Sequence, residues 1–159
     1  MLGDCGKSRS QMGLTWHIRE ASTEDADGLK NCMEAAYTAY QDRMGGVRLP
    51  PMDVDYLSEI NNYPTWIVEA EGKILGGLIM SFENNQASIA NIAVDPKCQG
   101  QGIGGALMKL AESKARENNF SELHLTTHVL LHENVSLYRH LDWEETSRNE
   151  AKVFMKKDI

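Results

Sequence analysis

The sequence is short of most features that would set it apart from ordinary globular domains. Its three cysteines, Cys5, Cys32 and Cys98, are an odd number at unrelated spacings with no C-x-x-C pair. That excludes a disulfide scaffold and fits a reducing, cytoplasmic compartment. Its four prolines form no proline-rich or collagen-like block. No apolar run approaches the ~18 residues that span a bilayer, which excludes a transmembrane helix. Met1 to Gly13 lacks the apolar centre of a secretory signal and reads as a disordered extension. Basic residues are in deficit, 16 against 23 acidic, for a net charge of −7. Nucleic acid and anionic membrane both select basic surfaces, so neither is expected as the main partner.

What is there is the make-up of one folded domain, expected over residues 14–159, with 42% apolar and 25% charged residues. The acid is uneven. Residues 1–86 hold 7 basic and 13 acidic side chains, whereas residues 87–159 hold 9 and 10. This suits solubility or a bias towards a cationic ligand.

Hydrophobic periodicity and turn residues divide the chain into a β-α-α-β-β-β-α-β-α-β-β order. Trp16 to Arg19 alternates as a short strand. Ser22-Thr23-Glu24-Asp25 then supplies a cap and first-turn acids for a helix over about Asp25 to Tyr40. A shorter helix is expected from about Met52 to Ile60. Strands follow at Trp66 to Val68, Ile74 to Phe82 and Ala87 to Val94, with a turn at Glu71-Gly72-Lys73 and a bulge suggested by Gly76-Gly77. A helix over about Ile103 to Asn118 leads to a strand at Leu123 to Thr127, parallel to the one before the helix. A short helix from Glu133 to Leu141 and a hairpin of Trp143 to Ser147 with Lys152 to Met155 complete an α+β fold.

The most informative stretch is Gln99-Gly100-Gln101-Gly102-Ile103-Gly104-Gly105. Four glycines in seven positions let the backbone approach a bulky ligand and adopt positive φ. The loop runs straight into a helix, so its N–H groups converge on one anion-sized point, and a diphosphate is the natural guest. Gly100-x-Gly102-x-x-Gly105 satisfies the dinucleotide pattern, but its context does not. Five residues separate Val94 from the first glycine, and no carboxylate ends the strand Leu123 to Thr127 to hold a ribose. The lysine and hydroxyl of a P-loop are absent too, since Ala106 follows Gly105.

The run from Asn91-Ile92-Ala93-Val94 through Gln99 to Gly104 resembles the acetyl-CoA loop of the general N-acetyltransferase (GNAT) superfamily. Its motif is Arg/Gln-x-x-Gly-x-Gly/Ala, here filled by Gln99, Gly102 and Gly104. Glu133-Asn134-Val135-Ser136-Leu137-Tyr138 resembles the superfamily's Asn-x-x-x-Tyr helix. Ala39 to Gly45 and Pro51 to Tyr56 are similar to one branch of small bacterial-type members. The resemblance covers about Trp16 to Lys157.

The resemblance implies a GNAT-like fold, with a central mixed, mostly antiparallel sheet, about four flanking helices and a parallel pair splayed to admit pantetheine. It implies acetyl-CoA as acyl donor, with Ile92, Ala93 and Val94 beside the pantetheine and thioester. Gln99, Gly100, Gln101, Gly102, Ile103, Gly104 and Gly105 would hold the pyrophosphate, and Asn134 and Tyr138 would meet the cofactor from their helix. Tyr138 is then the general acid that protonates the departing thiolate, because a phenol keeps its proton at neutral pH. Dimers are common in the superfamily, though no segment here specifies an interface. The family usually closes the Tyr138 helix with Gly-Phe or Gly-Tyr. Here Asp142-Trp143 stands instead, so Asp142 must accept a left-handed conformation or the turn must differ.

No base is evident. The strand Ala87 to Val94, where some such enzymes place one, carries no acid, leaving Glu83, Asp53, Asp55 and His128 as candidates by type alone. His124, His128 and His132 run from a strand through a loop, where their spacing does not converge, so no metal is expected. Cys98 lies near a helix start that lowers thiol pKa values in general. Met33, Tyr40, Met44, Met52 and Tyr56 surround the two N-terminal helices, and with Asp42, Asp53 and Asp55 would make an apolar and acidic rim for a small, cationic amine. Two functions compete: an N-acetyltransferase working by direct attack in a ternary complex, and a non-catalytic acetyl-CoA-binding or sensing module on the same fold.

Overall fold

A computed structural model of the chain describes residues 15–38, 40, 41, 45, 46 and 49–159. The expected N-terminal extension and the motif residues Ala39, Asp42, Arg43 and Met44 therefore lie outside the described residues. The element order is the expected one: β1 (His17–Glu20), α1 (Ala26–Thr38), α2 (Tyr56–Asn62), β2 (Thr65–Ala70), β3 (Lys73–Ser81), β4 (Ser88–Val94), α3 (Ile103–Glu117), β5 (Glu122–His128), α4 (His132–His140), β6 (Glu144–Arg148) and β7 (Lys152–Asp158). The strands form one seven-stranded sheet in the order β1-β2-β3-β4-β5-β7-β6. Every neighbouring pair is antiparallel except β4 and β5. Among the described residues no helix is long and apolar enough to cross a membrane.

Local chemistry moves some boundaries. The second helix starts at Tyr56 rather than Met52, because Pro50–Met52 closes a separate 3-10 turn. The Asp55 side chain then caps α2 by accepting the Ser58 N–H at 3.2 Å. The β2–β3 hairpin turns on Glu71 and Gly72, both at positive φ (51° and 77°).

The two faces of the sheet have separate partners. Alternate residues Val68, Leu78, Met80, Ile92 and Val94 meet α3 through Ile103, Leu107, Met108 and Ala111. Ile67, Ile79 and Ala93 meet α1 and the 3-10 turn through Leu29, Met33, Ala36 and Met52. Gly76 and Gly77 serve this sandwich. A Cβ on Gly76 would stand 3.0 Å from the Ala93 carbonyl and 3.3 Å from Ile103, and one on Gly77 would stand 2.5 Å from Leu29 Cδ1. The bulge expected at this pair falls one residue earlier: Val68 faces Gly76 and Glu69 faces Ile74, leaving Leu75 extra. A second bulge, with no mark in the sequence, lies in β4. Ile79 faces Asn91 and Met80 faces Ile89, leaving Ala90 unmatched.

Candidate active site

The parallel pair parts almost as soon as it forms. Ser88 on β4 and His124 on β5 are its one registered pair, with the His124 N–H donating to the Ala87 carbonyl at 3.0 Å. Beyond them the strands diverge around a cavity of about 290 Å³. β4 lines it with Ile89, Ala90, Asn91 and Ile92, β5 with Leu125 to His128, and α4 with Asn134 and Tyr138.

Asn134 and Tyr138 lie one helical turn apart, each 4% exposed. The Tyr138 ring packs 6.0 Å from Trp143 at a 58° tilt. Asp142 does adopt the left-handed conformation, φ 72°, and the turn closes with the Trp143 N–H donating to the Tyr138 carbonyl at 2.9 Å. An aspartate therefore does the work of the usual glycine, which Asp tolerates better than most residues.

The glycine loop stands at the end of β4 and is not part of the cavity wall. Asp95 caps a 3-10 turn over Pro96–Cys98, accepting the Lys97 N–H at 2.9 Å. Gly100 and Gly102 then take φ of 85° and 82°. Gly102 is the N-cap of α3 and has no side chain to satisfy the helix's first amides. The first turn of α3 holds no acid, so its partial positive charge is left for an incoming anion. The sequence-predicted residues thus divide. Ile92, Asn134 and Tyr138 meet at the cavity. Gln99 to Gly102 form the loop beside it, with Ile103 to Gly105 in the first turn of α3. Val94 packs into the α3 side of the core, and Ala93 turns away into the α1 side.

Of the candidate bases only His128 reaches the cavity. Its Nδ1 accepts the Leu130 N–H at 3.1 Å, so in the neutral ring the proton sits on Nε2 and no lone pair is left for a base. Asp53 and Asp55 do not line the cavity, and Glu83 is exposed in the β3–β4 turn. Among the described residues no three His, Cys, Asp or Glu side chains are grouped to hold a metal. The Cys98 thiol is also unlike the expectation from its neighbouring helix. Burial, reinforced by Asp95, pushes its pKa up rather than down.

Sequence reasoning missed Asn91 and Tyr37. The Tyr37 hydroxyl donates to Asn91 Oδ1 at 3.3 Å, and Asn91 Nδ2 donates to the Tyr56 hydroxyl at 3.3 Å. The Tyr56 hydroxyl in turn donates a hydrogen bond to the Pro51 carbonyl. Burial raises the pKa of both phenols, so they stay protonated. The Ala90 bulge makes this ladder, setting Ile89 and Ile92 on the α3 face while Asn91 points to α1 and α2. Only a register that skips Ala90 would have revealed it.

A sequence profile of the Acetyltransferase (GNAT) family matches residues 33–143. The uncharacterized N-acetyltransferase YjgM of Escherichia coli is 28% identical over 106 residues, 62% of this chain and 64% of that protein. Human N-acetyltransferase 8B is 26% identical over 119 residues, 71% of this chain and 52% of that protein. The chain thus spans less than two thirds of either relative. A crystal structure of the PaiA N-acetyltransferase from Thermoplasma acidophilum, in complex with coenzyme A, superposes with a TM-score of 0.80. The match covers 91% of this chain and 99% of that one at 17% identity, a likeness of fold.

Proposed function

This chain belongs to the acetyltransferase (GNAT) family, and from that premise we propose that it transfers an acetyl group from acetyl-CoA to the primary amine of a small acceptor, by direct attack in a ternary complex. The observation that carries the reading is the gap between β4 and β5, with Asn134 and Tyr138 buried on its wall and an uncapped, glycine-shaped start of α3 beside it.

The residues present suit acetyl-CoA. The first-turn amides of α3 and the Gln99 to Gly105 loop would hold the pyrophosphate, since they offer donors and positive potential with no side chain in the way. The β4 backbone at Ile92 to Val94 would run along the pantetheine, and a β4 N–H aimed at the thioester carbonyl would stabilise the oxyanion formed on attack. Acetyl-CoA supplies the activated acyl group. Asn134 orients the thiol end, and Tyr138 gives its phenolic proton to sulfur as the C–S bond breaks. The amine arrives as a cation drawn by the net charge of −7. With no carboxylate among the described residues that line the cavity, it sheds its proton to water and attacks as the neutral fraction. A reducing, cytoplasmic compartment suits the free Cys32 and Cys98 thiols.

The test is turnover by thiol release across an amine panel for the native chain and Tyr138→Phe. A fall of about 100-fold or more in kcat with CoA affinity kept supports the enzyme. Acetyl-CoA binding without turnover of any amine supports the non-catalytic module instead.

A further inference from the structure

The wall of the cavity away from the glycine loop narrows the choice of acceptor. Leu123 and Leu125 on β5, and Val153 and Met155 on β7, sink into the cluster beneath α3. The alternate residues Thr126, His128 and Lys152 therefore project from the opposite face, the one α1 occupies over the neighbouring strands. His128 and Lys152 are cross-strand partners, and both line the cavity. Among the described residues they are its only titratable side chains apart from the tyrosines, and no described Asp or Glu joins them.

Two details make this pair look outward for an anion. Lys156, the next lysine on the same face of β7, is neutralised by Glu122, Glu144 and Asp158 at 3.2, 3.5 and 3.8 Å. Among the described residues no carboxylate forms such a pair with Lys152, which is solvent-exposed at the cavity's edge, as is Glu150 in the turn before it. His128, with Nδ1 occupied by the Leu130 N–H, presents Nε2 as a donor. Across the cavity the polarity is reversed. The Tyr37 hydroxyl directs its O–H to Asn91 Oδ1 as a hydrogen-bond donor and offers its lone pairs to any N–H that reaches it.

Donors and positive charge at one end, with lone pairs at the other, are complementary to a molecule bearing both a carboxylate and an amine. We propose that the acceptor is such an amine, an amino acid or a peptide with a nearby carboxylate, held by Lys152 Nζ and His128 Nε2–H. This rests on the acetyltransferase reading. The carboxylate takes no part in the bond changes. The ammonium proton goes to water, and the amine nitrogen bonds to the acetyl carbon. The C–S bond breaks as sulfur takes the Tyr138 proton, and the proton the acylated nitrogen then loses restores the Tyr138 phenol.

The test uses a matched pair of product probes, N-acetylleucine and N-isopentylacetamide, which differ only by the carboxylate. Each is titrated into histidine-labelled protein, with and without CoA, and the His128 imidazole resonance is followed. The proposal expects N-acetylleucine to move that resonance and to bind at least about tenfold more tightly than the amide. Lys152→Met should bring the two affinities within about twofold, and Lys152→Glu should invert their order. Equal or tighter binding of N-isopentylacetamide, an unmoved His128 resonance, or a preference that survives Lys152→Met each overturns it. So does a Lys152→Met variant that binds CoA more weakly, because the charge would then serve the donor. If CoA itself fails to bind, the acetyltransferase reading falls, while the carboxylate preference is still read on the free chain.

Discussion

Ser88 and His124 are in register across β4 and β5, and no later pair of residues on the two strands is. This single contact sets the geometry of the site. It anchors two parallel strands at one end and leaves their other ends free to part, so the cavity opens where β4 delivers the chain into the glycine loop. The Ala90 bulge immediately follows and turns Asn91 towards Tyr37 and Tyr56.

Gly102 should matter for the donor more than for the fold. Its φ of 82° is costly for any residue with a Cβ. Gly102→Ala should weaken acetyl-CoA binding on the order of tenfold, matching ~1–2 kcal/mol of left-handed strain or a displaced helix start. Calorimetric titration with a parallel melt checks this, and a fall in Tm with unchanged affinity would count against it.

Gly76 should be needed for packing. The Cβ of Gly76→Ala would press on the Ala93 carbonyl, which is backbone, and on Ile103, which is 1% exposed. A loss of about 1–3 kcal/mol in denaturant unfolding is expected.

The Asn91 ladder should show coupling. Asn91→Leu strands the buried Tyr37 hydroxyl and should cost roughly 1–3 kcal/mol. Adding Tyr37→Phe removes the orphaned group, so the double variant should be more stable than the sum of the single effects predicts. Strict additivity in urea unfolding would show that the hydrogen bond is not made.

Acid should weaken the chain through Asp25. Hydrogen bonds from Arg19 at 2.9 Å hold the Asp25 carboxyl below its ordinary 3.8. A depressed folded pKa gives stability that is complete above the unfolded value and is lost as pH falls through the folded one. Asp25→Asn should therefore cost roughly 1–2 kcal/mol at neutral pH, discounted because the Arg19 side chain is 36% exposed. The difference should shrink as the pH falls below 3.8 and through the lowered folded value. Tm measured against pH for both chains decides it.

With no carboxylate among the described residues of the cavity, the pH dependence of kcat/KM should follow the acceptor. Its rising limb should move with the amine's own pKa when a less basic amine is supplied. A limb fixed at one pH for all amines would reveal an enzyme base.

The order of elements and the glycine loop were legible because their signals are local: apolar periodicity, Gly100 and Gly102 at positive φ, and a helix directly behind them. Asn134 and Tyr138 were picked out by resemblance to the superfamily's Asn-x-x-x-Tyr helix, and both line the cavity. The start of α2 was misplaced because the Pro50–Met52 turn and the Asp55 cap compete within a few residues. Asn91 was hidden for a different reason. Its direction depends on an unmatched residue in a pairing between strands, which one strand's alternation does not reveal. His128 was visible as a type, but its tautomer depends on a backbone N–H two residues away. Cys98 was misjudged because burial and Asp95 outweigh the neighbouring helix start.

On the reading proposed above, the parted strands and the glycine loop form an acetyl-CoA site. Calorimetric titration of the folded chain with acetyl-CoA, and in parallel with NADH, tests it most directly. Saturable micromolar binding of acetyl-CoA with none of NADH is the predicted result. A folded chain that ignores acetyl-CoA would contradict the account.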